Sequence, residues 1–336
     1  MAAFWRSASF MLMGNQHFTK HGYARASKSF DNSCMERSLA GRVCIVTGAN
    51  SGLGFTCSQE LARRGATLYM VCRNEERGRQ ALEKVKADSG NSNVHLAVCD
   101  VSSLASVASF AADWLASSRP CHLLVNNAGV LLSERMTTPE GYEQSFATNA
   151  LGTAALTQRL MPALLAGAPS RVIIVSSGGM YTETLRLDDL QHASLQPWNG
   201  SAAYSRDKRR QVAMTEHLAA AMAGQGVGCY SMHPGWADTE GVRSSIPGFH
   251  KAFQDKLRDT QQGADTILWL ALEDEAKLQP GAFYLDRSPQ AKHLTLGGTH
   301  YSPQQAAQLW EQLMAMAGLP GQAGAAAAAA AGAPQQ

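Results

Sequence analysis

Seven short apolar runs alternate with longer helical patterns through the middle of this 336-residue chain, and that alternation constrains its fold more than any other feature. The runs fall at 43–47, 67–72, 94–99, 122–125, 171–176, 227–232 and 282–285. Helical spacing separates them at 53–64, 75–89, 104–116, 141–165, 204–223 and 263–272. Strands that are apolar on both faces and joined through helices form a parallel sheet covered on both sides. Right-handed crossovers make this an α/β, Rossmann-type doubly wound fold: a seven-stranded, mostly parallel sheet with helices on both faces. Ligands of such sheets lie beyond the carboxyl ends of the strands, so the chemistry is expected immediately after each strand.

The first strand runs into Thr47, Gly48, Ala49, Asn50, Ser51, Gly52, Leu53 and Gly54, which open directly into a helix. Glycines let the backbone approach a pyrophosphate, and the helix start supplies amide donors and a favourable dipole. Gly48, Asn50, Ser51, Gly52, Leu53 and Gly54 are therefore cofactor-binding candidates. A reader of the ribose 2′-hydroxyl would be Asp or Glu about 20 residues further on. This chain has Cys72, Arg73 and Asn74 there. A guanidinium pairs with the extra phosphate of NADP, whereas a carboxylate would repel it, so NADP(H) is expected ahead of NAD(H). The plainer reading of Arg73 is a solvated charge paired with Glu75 or Glu76. Asp100 and Val101 follow the third strand, where a short polar side chain can meet an adenine edge. Asn127, Ala128 and Gly129 follow the fourth, small enough to leave room for the cofactor. Ser176 and Ser177 end the fifth strand, and Pro234, Gly235 and Thr239 follow the sixth. Tyr204 and Lys208, at i and i+4, share one face of a helix.

Taken together these residues resemble the short-chain dehydrogenase/reductase family across roughly residues 40–290. The motifs that carry the resemblance are Thr-Gly-x3-Gly-x-Gly, Asn-Asn-Ala-Gly, a mid-helix Asn149, a strand-end Ser, Tyr-x3-Lys and Pro-Gly-x3-Thr. The glycine spacing favours the simple branch over the extended one. Ser176–Met180, 231–239, 263–266 and 268–272, with Lys20-His21-Gly22-Tyr23, look like the dehydrogenase/reductase family member 12 group, allied to retinol-dehydrogenase-like reductases. The resemblance implies an enzyme that interconverts a carbonyl and an alcohol by hydride transfer, acting as a carbonyl reductase in the reductive direction. It implies Tyr204 as general acid/base and Lys208 as its partner and a hold on the nicotinamide ribose. Ser177 would bond the substrate oxygen, with Ser176 an alternative, and Asn149 would hold a water in a proton relay. It also implies a homodimer through the helices carrying Asn149 and Tyr204. The insertion between Ser177 and Tyr204, with Tyr181, Leu185, Leu187, Leu190 and Trp198, is expected to wall the substrate pocket. Residues 236–260, including Trp236, Ile246, Pro247 and Phe249, are expected to form a lid. Both suggest a hydrophobic substrate such as a lipid aldehyde, retinoid or steroid. A non-catalytic NADP-binding scaffold or redox sensor is the rival.

Composition narrows the alternatives. Twenty-nine basic against 27 acidic side chains give a net charge of +2, without the basic stripe of a nucleic-acid binder. No apolar run is long enough for a transmembrane span. Seven cysteines, an odd number without a CxxC pair, suggest buried thiols in a reduced, cytoplasmic compartment. No metal-ligand spacing is present, since His17 and His21 lack a Glu or Cys companion. Residues 1–38 form a separate extension, 39–316 the single catalytic domain, and 317–336 a low-complexity Ala/Gly tail expected to be disordered. Residues 1–30 hold no acidic residue, and Phe4, Ala8, Met11 and Leu12 follow helical spacing. That pattern fits a helix packed on the domain, an organelle-targeting segment or a peripheral membrane-surface helix.

Overall fold

The computed structural model describes residues 2–321. Seven strands run parallel: β1 (Val43–Thr47), β2 (Thr67–Cys72), β3 (Val94–Val98), β4 (Leu123–Asn126), β5 (Ser170–Val175), β6 (Val227–Met232) and β7 (Phe283–Leu285). Their order is β3-β2-β1-β4-β5-β6-β7, with the reversal between β1 and β4 that places a ligand at a doubly wound sheet. An eighth strand, β8 (Ser288–Gln290), adds antiparallel to β7, so the sheet has one strand more than the sequence suggests. Two features hide β8. It contains Pro289, and its two-residue turn is Asp286-Arg287 at φ 50° and 60°, where Asn-Gly is the usual signal.

Two short helices, α1 (Ala2–Met13) and α2 (Lys20–Ala26), precede the sheet. The crossovers are α3 (Gly52–Arg63), α4 (Glu75–Ser89), α5 (Leu104–Ala116), α6 (Gln144–Phe146) with α7 (Gly152–Ala166), and α8 (Gly200–Ala221). After β6 come α9 (Glu240–Ser245), α10 (Pro247–Phe253), α11 (Thr260–Leu272) and, at the end, α12 (Pro303–Met316). One face of the sheet packs on α5, α7, α8 and α12, the other on α3, α4 and α11. All seven cysteines are free and buried. No helix among the described residues is long and apolar enough to cross a membrane.

The last helix has a consequence for assembly. Leu309, Trp310, Leu313 and Met314 of α12 are fully buried in the cluster that contains α7 and α8. Each such side chain contributes about 1.5–3 kcal/mol by burial, so α12 is a firm part of the domain. Fourteen of the 22 residues of α8 are buried within the one chain. A homodimer built on α7 and α8 would therefore have to use surfaces that α12 leaves uncovered. Of the expected tail, residues 317–321 lie against the end of α12, with Ala317 buried. Residues 322–336 lie outside the described residues.

Candidate active site

The carboxyl ends of the parallel strands open into a cavity of about 910 Å³. Its floor is the turn after β1, where Gly48 and Gly52 take φ of 63° and 54°. A Cβ on Gly54 would overlap both the Gly48 carbonyl and the Asn127 amide, so the turn closes only over glycine. Thr47 and Asn127 lock it to β4: Thr47 Oγ1 accepts from the backbone N–H of Asn127 and Ala128 at 2.9 Å each. Asn127 Nδ2 in return donates to the Thr47 carbonyl at 2.8 Å. Ser51 occupies the N-cap of α3 without a side-chain cap bond, leaving the first-turn amides open toward the cavity. A cradle of small residues below a helix start fits a dinucleotide pyrophosphate.

Arg73, after β2, is exposed at the cavity edge, and among the described residues it has no ion pair. Arg73 is solvated, as the plainer reading has it, but the expected pairing is not formed, since Glu75 pairs with Arg79 and Glu76 with Gln80. Asp100 lines the cavity with one carboxylate oxygen held by Ser102 at 2.7 Å. Val101, Ala128, Gly129, Pro234, Gly235 and Thr239 line it too, and Thr239 also caps α9. Arg77, which the sequence did not single out, lies at the same edge and pairs with Glu240 of α9 at 2.9 Å.

Ser177, Tyr204 and Lys208 meet at the other end of the cavity. Asn199 caps α8, accepting from the Ala202 N–H at 3.0 Å, and starts the helix one turn before Tyr204. Lys208 Nζ then lies 5.2 Å from the Tyr204 ring centre. It donates to the Val175 carbonyl at 2.8 Å and to Gln211 Oε1 at 3.0 Å, which leaves one of its three protons unspent. Ser176 Oγ is engaged as a donor to the Lys208 carbonyl at 2.8 Å, while Ser177 faces Tyr204. Burial pushes the Tyr204 phenol up to about 12, with Ser177 pulling it back. Burial pushes Lys208 down to about 7, against the pull of Asp207.

Asn149 does not reach the cavity. It sits in a π-helical turn, Ala147–Leu151, between α6 and α7, a distortion common at functional sites. Its amide closes a two-way bond with Val130, accepting from the N–H and donating to the carbonyl at 2.8 Å each. Its own carbonyl accepts from Gln211 Nε2 at 2.7 Å. Gln211 therefore bridges Lys208 Nζ to the backbone carbonyl of Asn149. Behind this lies fully buried Asp207, which accepts from Ser145, Arg210 and His192 at 3.0, 2.8 and 3.1 Å. Burial opposes its ionisation, but these partners outweigh it and hold the carboxyl below its ordinary range.

The pocket wall differs from expectation. Leu185, Leu187 and Leu190 turn into the core instead, and Tyr181 joins a second apolar cluster, its hydroxyl bonded to the Ala291 carbonyl at 2.6 Å. Trp198 donates to the Leu132 carbonyl at 3.1 Å. The insertion lends the cavity Gly179, Thr182, Glu183, Asn199, Ser201 and Ala202 instead of its large apolar groups, while Trp236, Ile246 and Phe249 of the segment after β6 line it and Pro247 does not. Asp207 and Gln211 were missed because each acts through a neighbour, as does Thr47, which the sequence marked only as part of the turn. Only proximity to the motifs could have flagged them.

Comparison with known proteins identifies the family. The short chain dehydrogenase family profile matches residues 42–248. The chain is 41% identical over 314 residues to human "Dehydrogenase/reductase SDR family member 12", covering 93% of this chain and 98% of that one. It is 34% identical over 289 residues to human retinol dehydrogenase 11, covering 84% and 87% respectively. Its fold is similar to a crystal structure of a protein from Mycobacterium paratuberculosis, with a TM-score of 0.67, 28% identity, and 84% and 96% of the two chains covered.

Proposed function

The chain belongs to the short-chain dehydrogenase family and is an oxidoreductase, and from that premise we propose that it is an NADP(H)-dependent enzyme interconverting an apolar carbonyl compound and its alcohol. The single observation that carries the reading is the convergence of Ser177, Tyr204 and Lys208 at the end of the glycine-floored cavity. Bound NADPH would supply the hydride. Gly48, Asn50, Ser51, Gly52, Leu53 and Gly54 would hold its pyrophosphate, Asp100 and Val101 the adenine end, and Asn127, Ala128, Gly129, Pro234, Gly235 and Thr239 the remainder.

Tyr204 gives its phenolic proton to the substrate oxygen during reduction and takes it back during oxidation. A phenol near pKa 12 is a weak acid at neutral pH, so it needs a cation that favours its phenolate. Lys208, one turn along, would supply that charge in its protonated form, and burial, which lowers it to about 7, lets it exchange protons near the working pH. Ser177 donates a hydrogen bond to the substrate oxygen as charge develops there. Asn149 and Gln211 hold Lys208 in place.

Arg73, exposed and unpaired at the cleft edge, supports NADP(H) over NAD(H). Trp236, Ile246 and Phe249 support an apolar substrate, as does the likeness to a retinol dehydrogenase. Seven buried free thiols support a reduced, cytoplasmic compartment. The test is a panel of lipid aldehydes, retinoids and steroids followed by NADPH absorbance. Turnover of apolar members is expected; cofactor binding without turnover of any carbonyl would refute the reading.

A further inference from the structure

Helix α1 has two faces, and the one that the sequence marks as apolar is turned outward. Phe4 is 79% exposed and Leu12 71%, with Met11 exposed beside them. The inward face carries Ala3, Arg6, Ser7 and Phe10, at i, i+3, i+4 and i+7, and all four line the cavity that holds Ser177 and Tyr204. A helix that served only to pack would bury its apolar stripe.

The helix is held in register by its ends. Arg6 donates to the Thr182 carbonyl at 2.8 Å and the Gly297 carbonyl at 3.1 Å, and Trp5 Nε1 to the Thr295 carbonyl at 3.0 Å. Thr182 closes the turn that begins at Ser177, so α1 is tied to the segment that carries a reacting group. At the other end, a Cβ on Gly14 would overlap the Trp236 ring, and the Trp236 N–H donates to the Phe18 carbonyl at 2.7 Å. Phe18 is buried edge-on against His233 at 4.4 Å. Phe10 and Phe249 both pack on Trp236, at 6.1 and 5.2 Å between ring centres, which joins α1 to the lid segment.

We infer that α1 is a wall of the substrate compartment, and that Ser7 and Phe10, with Ile246 and Phe249, select carbonyl compounds bearing an extended apolar tail. The inference rests on the carbonyl–alcohol reading above. Apart from Arg6, whose guanidinium is bonded to backbone, this face presents only apolar groups and one hydroxyl. The polar end of such a substrate meets Ser177 and Tyr204, and its tail lies along α1.

The experiment fills the wall. Full-length protein with Ser7→Phe is compared with wild type on straight-chain aldehydes from butanal to tetradecanal, with NADPH. The KM for tetradecanal relative to butanal should rise on the order of tenfold, as expected from the lost burial of about two methylene groups. Leu12→Ser, on the outward face, should reproduce the wild-type length profile. Binding of tetradecanol, followed by tryptophan fluorescence, reads the same wall without turnover and should weaken by a similar factor in Ser7→Phe. Coincident profiles together with equal tetradecanol binding would overturn the inference. Wild type that turns over no aldehyde yet binds tetradecanol, with binding weakened by Ser7→Phe, would keep the wall and reject the carbonyl reading.

Discussion

Replacing Arg258 by Met should release the N-terminal segment from the domain. Arg258 is 1% exposed, and its Nη1 and Nη2 donate to the two Asp286 oxygens at 2.6 and 2.9 Å. The same guanidinium donates to the His17 carbonyl at 2.7 Å and the Phe18 carbonyl at 3.1 Å. Removing one partner of a buried pair costs about 3–5 kcal/mol, because the other charge is left without its counterion. Asp286 keeps a little solvent access, so about 4 kcal/mol is expected. At somewhat under about 2 °C per kcal/mol for a domain of this size, Tm should fall by roughly 6–7 °C. Urea unfolding followed by tryptophan fluorescence gives the free energy, and trypsin should then cleave first at Lys20 and Arg25. Arg258→Met with Asp286→Leu removes both charges and should recover at least about 1.5 kcal/mol. A single variant within about 0.5 kcal/mol of wild type, or a double variant no better than the single, would refute the argument.

Two further outcomes follow from the cleft and the thiols. Arg73→Ala should weaken NADPH binding at least about tenfold more than NADH binding, the share of one charge-assisted hydrogen bond; equal losses in a fluorescence titration would reject Arg73 as the phosphate reader. Stability should fall as pH rises above 9. Cys44 and Cys229 are pushed by burial from 9.0 up to about 12, so the unfolded chain loses those protons first and is favoured across that window. Buried Lys208 acts the other way between about 7 and 10.5, but it is a single group against several buried thiols. Urea midpoints that stay level or rise through this range would contradict the assignment, and Cys44→Ala should flatten the slope.

The sheet and the cleft were legible because their signals are local. Apolar runs mark strands that are covered on both faces, and Gly48, Gly52 and Gly54 mark a backbone that must pass close to other atoms. Tyr204 and Lys208 share a helical face whatever surrounds them. What escaped depended on partners far along the chain. The α1 stripe of Phe4, Ala8, Met11 and Leu12 left a packed, a targeting and a membrane-surface helix open, and the ties of Trp5 and Arg6 to Thr182, Thr295 and Gly297, which turn the stripe outward, could not be read locally. The leucines of the insertion read as pocket lining, yet buried Arg210 donates to the Leu190 carbonyl at 2.9 Å and draws that loop onto the core. The β8 turn was invisible because Asp286 holds its unusual backbone angle in a place where Arg258 needs its carboxylate.

The central claim is that Tyr204 moves the proton while the rest of the cavity binds and orients. Steady-state reduction of an accepted aldehyde by Tyr204→Phe, with NADPH binding measured on the same preparation, tests it most directly. The phenyl ring keeps the packing and removes only the hydroxyl, so NADPH should still bind while kcat falls by about 10²–10⁴-fold. A Tyr204→Phe protein that binds NADPH and retains most of its turnover would contradict the account.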